Sequence, residues 1–182
     1  MGNGYPAAAF GGTDEVMSVL PDHVSHGGTY AGNRVAAAAA VKTLTIIKET
    51  DALEKIHALG RRIQGGLAEV LNEKSLPHTF TGHPSMFGIY FAEKAPTEYR
   101  DWATSDHDLY DAIAMGMLVR GAMPEPDSRE PWFLCEAHTE GNYDDRIISI
   151  FSDSLDAALE ERARGKTPPV DTKGAQSHPA AG

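Results

Sequence analysis

The chemistry this 182-residue chain suggests first is that of a glycine-rich loop ending in a threonine, just before an alanine-rich segment. The loop contains Gly27, Gly28 and Thr29, and the alanine-rich segment follows from Asn33. Glycines let backbone N–H groups approach an anion without a Cβ in the way, and a helix start adds partial positive charge. A threonine hydroxyl can also donate to a phosphate oxygen. The spacing is compatible with a phosphate site, although glycine-rich loops before helices also occur as simple connections.

The histidines and a run of carboxylates do not have the pattern of a metal site. The eight histidines show no metal-ligand spacing, and His23 and His26 share a loop without a carboxylate or cysteine that would complete a set. A run of carboxylates predicts a solvated helix start rather than a metal cluster: Asp101, Asp106, Asp108 and Asp111. We therefore expect no metal site.

The single cysteine, Cys135, excludes an intrachain disulfide and fits a reducing compartment. Its apolar setting at 132–135 predicts a buried thiol in a strand. No neighbouring base pattern indicates a nucleophile.

Composition narrows the class of protein. The formal net charge of -10 argues against nucleic acid as a main partner, because phosphate contacts need a basic surface. No apolar run approaches the roughly 20 residues that span a bilayer, and residues 1–20 lack the pattern of a signal peptide. These observations predict a cytoplasmic protein with one domain or two small lobes.

The first 50 residues predict a turn, a short strand and two helical segments. Turn residues at 1–6 lead into an apolar run at 7–10, which we expect to be a short buried strand. A short helical turn at 13–20 should end at Pro21. Alanine is the best helix former, so the segment from Asn33 predicts a helix of about four turns.

The remainder alternates between helical and strand periodicity. The first expected element is a helix capped by Asp51 and Glu54, with an apolar stripe from Leu53 to Leu71. Two strands at 79–81 and 86–91, joined by a turn at 82–84, and a loop at 93–104 are expected next. The last expected elements are a helix from Ser105 to about Arg120, a strand at 132–135 and a helix from Asn142 to Gly165.

These elements predict three parts. Residues 1–50 are expected to be the edge of a larger domain with a linking helix, and residues 51–165 a small α+β domain. Residues 166–182, rich in Pro, Gly, Ala and polar residues, predict a disordered tail.

Several motifs together resemble the class III aminotransferases, which depend on pyridoxal phosphate. They are the Gly-Asn-Gly turn at 2–4 and the run at 26–33, with the strand at 85–91 and the Ala-His-Thr-Glu segment at 137–140 resembling the glutamate-1-semialdehyde aminomutase branch. The resemblance covers most of residues 1–160. It implies an α/β protein: the C-terminal part of a fold type I transferase, comprising the edge of the large domain and a small α+β C-terminal lobe. It also implies transfer of an amino group, between two molecules or within one.

The resemblance assigns the cofactor contact to Thr29, with its neighbour Gly28. In the family this threonine binds the phosphate of the pyridoxal phosphate that belongs to the other subunit of a homodimer. Arg34 stands where many members have proline, a difference that can change the entry into the helix but is compatible with the phosphate contact.

The resemblance also suggests two substrate ligands. Glu140 is expected to face the substrate's amino group, the alternative being that His138 and Thr139 belong to an ordinary loop and cap. Arg129 is the candidate for a substrate carboxylate, because transaminases of this family often use an arginine there. Its local pattern at 127–130 does not align with a family motif.

The family's catalytic lysine precedes the Gly-Asn-Gly turn by a residue or two, so we expect this chain to begin after it. None of the lysines present follows a buried strand and precedes a glycine-rich turn, and no catalytic residue is therefore expected here. The chain is then the C-terminal portion of an aminotransferase or aminomutase, acting on a small amino donor or acceptor as a homodimer or with the missing N-terminal half. The alternative is a non-catalytic folding or interaction module. In either case residues 7–10 and the alanine-rich helix form an apolar patch that invites association.

Overall fold

A computed structural model describes residues 1–20 and 24–165, which divide into a first unit (residues 1–53) and a second unit (residues 54–165). The predictions for Pro21, His23 and the tail at 166–182 lie outside the described residues. The elements are α1 (Asp14–Met17), α2 (Arg34–Glu49), α3 (Ala52–Glu73), β1 (Thr79–His83), β2 (Met86–Tyr90), α4 (Tyr99–Trp102), α5 (His107–Val119), β3 (Trp132–Phe133), a 3₁₀ helix (Glu136–Thr139) and α6 (Tyr143–Ala163).

The first unit opens with the predicted turn. The Tyr5 N–H donates to the Gly2 carbonyl at 3.1 Å, and Gly4 has a φ of +95°. The buried strand predicted at 7–10 is wrong: this segment forms no strand, and Phe10 is 61% exposed. A strand needs a neighbour for its N–H and C=O groups, and no described residue pairs with this segment.

Side-chain caps define the two helices of the first unit. The Thr13 hydroxyl accepts from the Val16 N–H at 3.4 Å at the start of α1, and the Asn33 side chain accepts from the Ala36 N–H at 2.9 Å at the start of α2. The 16 residues of α2 confirm the predicted four turns. Of its apolar side chains, Ala36 is buried, and the larger ones that remain exposed are Val35, Val41, Leu44 and Ile46.

The second unit contains a three-stranded antiparallel sheet in the order β1-β2-β3. His83 pairs with Met86, so the hairpin turn consists of Pro84 and Ser85 rather than the predicted 82–84. Gly82 stays within β1 at a φ of +85°, which a side chain rarely tolerates.

Helices α3, α5 and α6 bury their apolar faces together with β2. The apolar stripe predicted for α3 is confirmed except at Leu53, which is exposed. The main buried side chains of the unit are Leu59, Ile63, Leu67, Leu71, Phe87, Ile89, Leu109, Ile113, Met117, Phe151 and Leu155. Helix α3 comes closest to the hairpin at Gly60, where an added Cβ would overlap the Pro84 carbonyl oxygen. Glycine is thus required for this contact.

The structure corrects the predicted start of one helix and confirms that of another. Asp106, not Ser105, caps α5, because its carboxylate accepts from the Leu109 N–H at 3.1 Å. The Ser105 hydroxyl instead donates to the Trp102 carbonyl at 2.7 Å and closes α4, which lies in the segment predicted to be a loop. The last helix begins after Asn142 as predicted.

The strand predicted at 132–135 ends at Phe133, and Cys135 is exposed rather than buried. The chain leaves the sheet there and turns into the 3₁₀ helix, so the thiol has no sheet to cover it. None of the described helices has the length and apolar character needed to cross a membrane.

Candidate functional site

The first candidate site is the loop at 24–33, in the first unit. Two successive turns shape it: the Ala31 N–H donates to the Gly28 carbonyl at 3.0 Å, and the Asn33 N–H donates to the Tyr30 carbonyl at 3.1 Å. Thr29 is the second residue of the first of these turns and is exposed. Neither its hydroxyl nor its N–H has a hydrogen-bond partner among the described residues, so both donors are available to a ligand.

The glycines of this loop have different roles. Gly32 has a φ of +74°, a conformation that favours glycine. A Cβ added at Gly27 or Gly28 would meet no atom within 4 Å, so packing against the described residues does not require glycine at these positions. A hydroxyl and backbone N–H groups next to an open face are the donor set that a phosphate needs, so these residues fit the phosphate of the family's cofactor.

The second unit holds a cavity of about 500 Å³. Its walls are mainly apolar and come from α3, α5, β3 and the segments around them, including Ile63, Met117, Met123 and Trp132. The imidazole side chain of His138 and the phenol side chain of Tyr143 also line this cavity. A concave apolar site with few polar groups is typical of small-molecule binding.

A buried hydrogen-bond chain fixes one wall of this cavity. The Trp132 indole N–H donates to the Tyr110 hydroxyl at 2.8 Å, and that hydroxyl donates to the Glu125 carbonyl at 2.6 Å. Burial raises the pKa of Tyr110, so the phenol stays protonated and keeps donating. These two hydrogen bonds tie α5 and β3 to the irregular segment between them.

His138 and Thr139 both make local contacts. The Cys135 N–H donates to His138 Nδ1 at 3.2 Å, and the Thr139 hydroxyl donates to the Glu136 carbonyl at 2.7 Å. These bonds close the 3₁₀ helix, as the loop-and-cap interpretation expects. Glu140 follows directly and is exposed.

The guanidinium of Arg129 is held by a neighbouring carboxylate. Its Nε donates to both Asp127 oxygens, at 2.8 and 3.0 Å, and its Nη2 also contacts this carboxylate. The hydrogen bonds from Arg129 hold the pKa of Asp127 below its ordinary value. The guanidinium also lies 5.2 Å from the centre of the Trp102 ring, a cation–π distance.

Arg129 and the Glu140 segment lie at different pockets. Arg129 lines a pocket of about 250 Å³ with Tyr99 and Trp102, whereas His138 lines the larger cavity, and the two linings share no residue. Arg129 and Glu140 are thus not brought to one pocket, and Glu140 lines neither of the two.

Within residues 1–20 and 24–165, no group of three or more histidine, cysteine or acidic side chains is placed to hold a metal ion. The histidines that the structure does bring together are a pair, His57 and His83.

Comparison with known proteins decides the family. The sequence model described as Aminotransferase class-III matches residues 1–148. The chain belongs to the class III aminotransferase family.

The relatives of this class III chain agree with that assignment. It is 38% identical over 153 residues to a glutamate-1-semialdehyde 2,1-aminomutase of Thermus thermophilus, covering 82% of the chain and 36% of the relative. Among solved structures, it is similar to the FumI protein of Sphingopyxis sp. MTA144, with a TM-score of 0.69, 26% identity and coverage of 87% and 35%. An omega-transaminase of Sphaerobacter thermophilus gives a TM-score of 0.68, 25% identity and coverage of 82% and 35%.

These findings confirm the predicted resemblance and fold class. Class III aminotransferases depend on pyridoxal phosphate and have fold type I, and this chain has the mixed helix and sheet of part of such a protein. The chain spans about 36% of the length of the curated relative from Thermus thermophilus.

Sequence reasoning missed the contacts that constrain the second unit. Asp127 lies two positions before Arg129, so that ion pair could have been anticipated from spacing. The Tyr110–Trp132 bond joins residues 22 positions apart, and no local pattern indicates it.

Proposed function

We propose that this chain is part of a pyridoxal-phosphate-dependent aminotransferase or 2,1-aminomutase, to which it contributes a phosphate-binding loop and a small domain. The class III match over residues 1–148 carries this proposal. The names of the curated relatives favour the aminomutase branch, and the omega-transaminase among the structural neighbours supports the wider transaminase class. A cytoplasmic location is part of the same proposal.

Thr29 is the residue that we assign to the cofactor. Its exposed hydroxyl and N–H, with the N–H of Gly28, would donate to phosphate oxygens, and hydrogen bonds to a charged acceptor are among the stronger ones in proteins. Bound pyridoxal phosphate supplies the electron sink of the reaction. This chain's own part is to hold the phosphate and so fix the position of the group to which it is attached.

For the substrate we propose Glu140 as the acceptor for the amino group. It is exposed, and no carboxylate contact ties it to the described residues. Arg129 is the proposed ligand for a substrate carboxylate, but that carboxylate would have to displace Asp127 from the guanidinium. Glu140 is therefore the better supported of the two.

We also propose that the assembled protein is a homodimer in which Thr29 serves the cofactor of the partner subunit. The first unit supports association because large apolar side chains are exposed on it: Phe10, Tyr30, Val35, Val41 and Leu44. Light scattering of the 182-residue chain should then show a dimer or larger species, and a monomer at high concentration would contradict this assembly.

Binding of pyridoxal phosphate to the full chain tests the cofactor role. Thr29→Val should weaken the affinity by about tenfold or more, since a hydrogen bond to a charged group contributes about 1.5–3 kcal/mol. Thr29→Ser keeps the hydroxyl and should bind like the wild type. Thr43→Val is the matched control, because the Thr43 hydroxyl donates to the Ala39 carbonyl within α2. Equal affinities for Thr29→Val and the wild type would contradict the assignment.

The same samples test whether any lysine of this chain attaches the cofactor. After borohydride reduction, mass spectrometry should find no stoichiometric pyridoxyl group on a lysine. A single lysine labelled in full would show that the chain carries its own catalytic lysine, contrary to the sequence-based expectation.

A further inference from the structure

Two histidine rings from different elements of the second unit are in contact. His57 lies on α3 and His83 is the last residue of β1, and their ring centres are 4.1 Å apart with the planes at 63°. The contact between Gly60 and the Pro84 carbonyl holds the hairpin turn against the same helix, one turn along from His57. The two rings are therefore kept close by the packing of the backbone around them.

The hydrogen bonds of the pair leave His57 free to gain a proton. Nδ1 of His83 lies 3.3 Å from the Ser85 hydroxyl, which fixes that ring at the turn. No hydrogen bond is found for the His57 ring within residues 1–20 and 24–165. A proton on each ring would place two positive charges at contact distance between α3 and the turn.

The charges around His57 favour its neutral form. Loss of contact with water lowers the pKa of His57 most, the nearby charge of His83 lowers it further, and Arg61 on α3 adds to this. Glu54, one turn earlier on the helix, acts in the opposite direction. The net pKa shift is downward from the ordinary histidine value of 6.5.

We propose that His57 and His83 form a pH-sensitive latch between α3 and the β1–β2 turn. The latch is closed while at most one ring is protonated, and it loosens as both rings become charged. Repulsion then acts between α3 and the turn, next to the contact of Pro84 with Gly60. We therefore expect this hairpin turn to open in acid.

The sign of the effect follows from proton linkage. The folded state binds fewer protons at His57 than the unfolded state, so the stabilising contribution is complete above the unfolded value of 6.5. It is lost as the pH falls through the lower folded pKa. Because one extra proton is taken up, the equilibrium constant for opening the turn should rise by up to about tenfold per pH unit in this window.

Nuclear magnetic resonance on the full chain tests the latch in two ways. In a histidine titration, His83→Gln should raise the midpoint of His57 toward 6.5, because one cause of the lowered pKa is removed. In hydrogen exchange, protection of the β1 and β2 amides, corrected for intrinsic rates, should stay constant above about pH 6.5 and fall as the pH is lowered further in the wild type. His57→Gln and His83→Gln should each abolish that fall.

His78→Gln is the matched control. The ring of His78 precedes β1 and its Nδ1 lies 3.0 Å from the Leu76 carbonyl, so its loss should leave the pH dependence unchanged. The latch would be overturned if the titration midpoint of His57 were the same in His83→Gln as in the wild type. It would also be overturned if His57→Gln or His83→Gln lost as much amide protection in acid as the wild type does. If the variants fail to fold, flat wild-type protection over the same pH range still overturns it.

Discussion

The two units of this chain bury their apolar side chains to very different extents. The second unit encloses Phe87 and Phe151 almost completely, whereas Phe10 and Tyr30 in the first unit are 61% and 62% exposed. The second unit has a contiguous core made of its own residues, although Val119, Met123 and Phe133 stay exposed on its surface. The first unit combines a loop of available hydrogen-bond donors with apolar side chains that the described residues leave uncovered, a composition typical of a surface that completes a larger assembly.

The sharpest test of this contrast compares two phenylalanines. Phe87→Ala should lower the free energy of unfolding by about 3–5 kcal/mol, because it leaves a cavity in the core. Phe10→Ala should change it by less than about 0.5 kcal/mol, since the side chain is 61% exposed and its ring contact among the described residues is an edge contact with His26, at a centre distance of 5.0 Å. Urea unfolding followed by far-ultraviolet circular dichroism measures both. Equal losses would mean that the first unit has a core of its own.

Two glycines on α3 test whether this helix is in rigid contact with the hairpin of the second unit. Gly60→Ala should destabilise the protein by about 1–3 kcal/mol, since the new Cβ meets the Pro84 backbone, which cannot move without shifting the hairpin. Gly65→Ala meets nothing within 4 Å and should stabilise α3 by about 0.5–1 kcal/mol. Thermal unfolding of the two variants should move in opposite directions. A stabilised Gly60→Ala would show that the helix and hairpin are not in rigid contact.

The sequence was most informative where periodicity decides the structure. Leu59, Ile63, Leu67 and Leu71 recur at helical spacing, and all four are buried on one face of α3. The segment at 7–10 is also apolar, but the strand predicted there does not form, because strand formation depends on a pairing partner that a local pattern does not supply. Periodicity therefore predicts helices with their core faces better than it predicts isolated strands.

The candidate site was predictable only in part. The loop with Gly28 and Thr29 could be found from its residue types and from the resemblance, and the structure adds that its donors are exposed. Their contact with phosphate stays a prediction. The exposure of Cys135 could not be predicted, because it depends on where β3 ends, and the His57–His83 contact joins two elements that no local pattern brings together.

The smallest expected effect concerns a polar link between two helices of the second unit. Asp106 caps α5 and accepts from both terminal nitrogens of Arg162 on α6, at 2.6 and 2.8 Å. Asp106→Asn keeps a capping oxygen but loses the charge pair, so at neutral pH it should cost about 1 kcal/mol of unfolding free energy, reduced by the partial exposure of both groups. Glu160→Gln, which breaks an exposed pair with Arg164 on the surface of α6, should cost about 0–0.5 kcal/mol and serves as the control.

The pH dependence of that variant distinguishes a charge pair from a simple cap. The hydrogen bond from Arg162 lowers the pKa of Asp106 below its ordinary value of 3.8, so the folded state binds fewer protons there than the unfolded state. The contribution of the pair is complete above pH 3.8 and is lost as the pH falls through the lower folded pKa. The stability difference between the wild type and Asp106→Asn should therefore shrink in strong acid, as measured by urea unfolding across the acidic range. A difference that stays constant with pH would assign the role of Asp106 to capping alone, and the tie between α5 and α6 would then rest on their apolar faces.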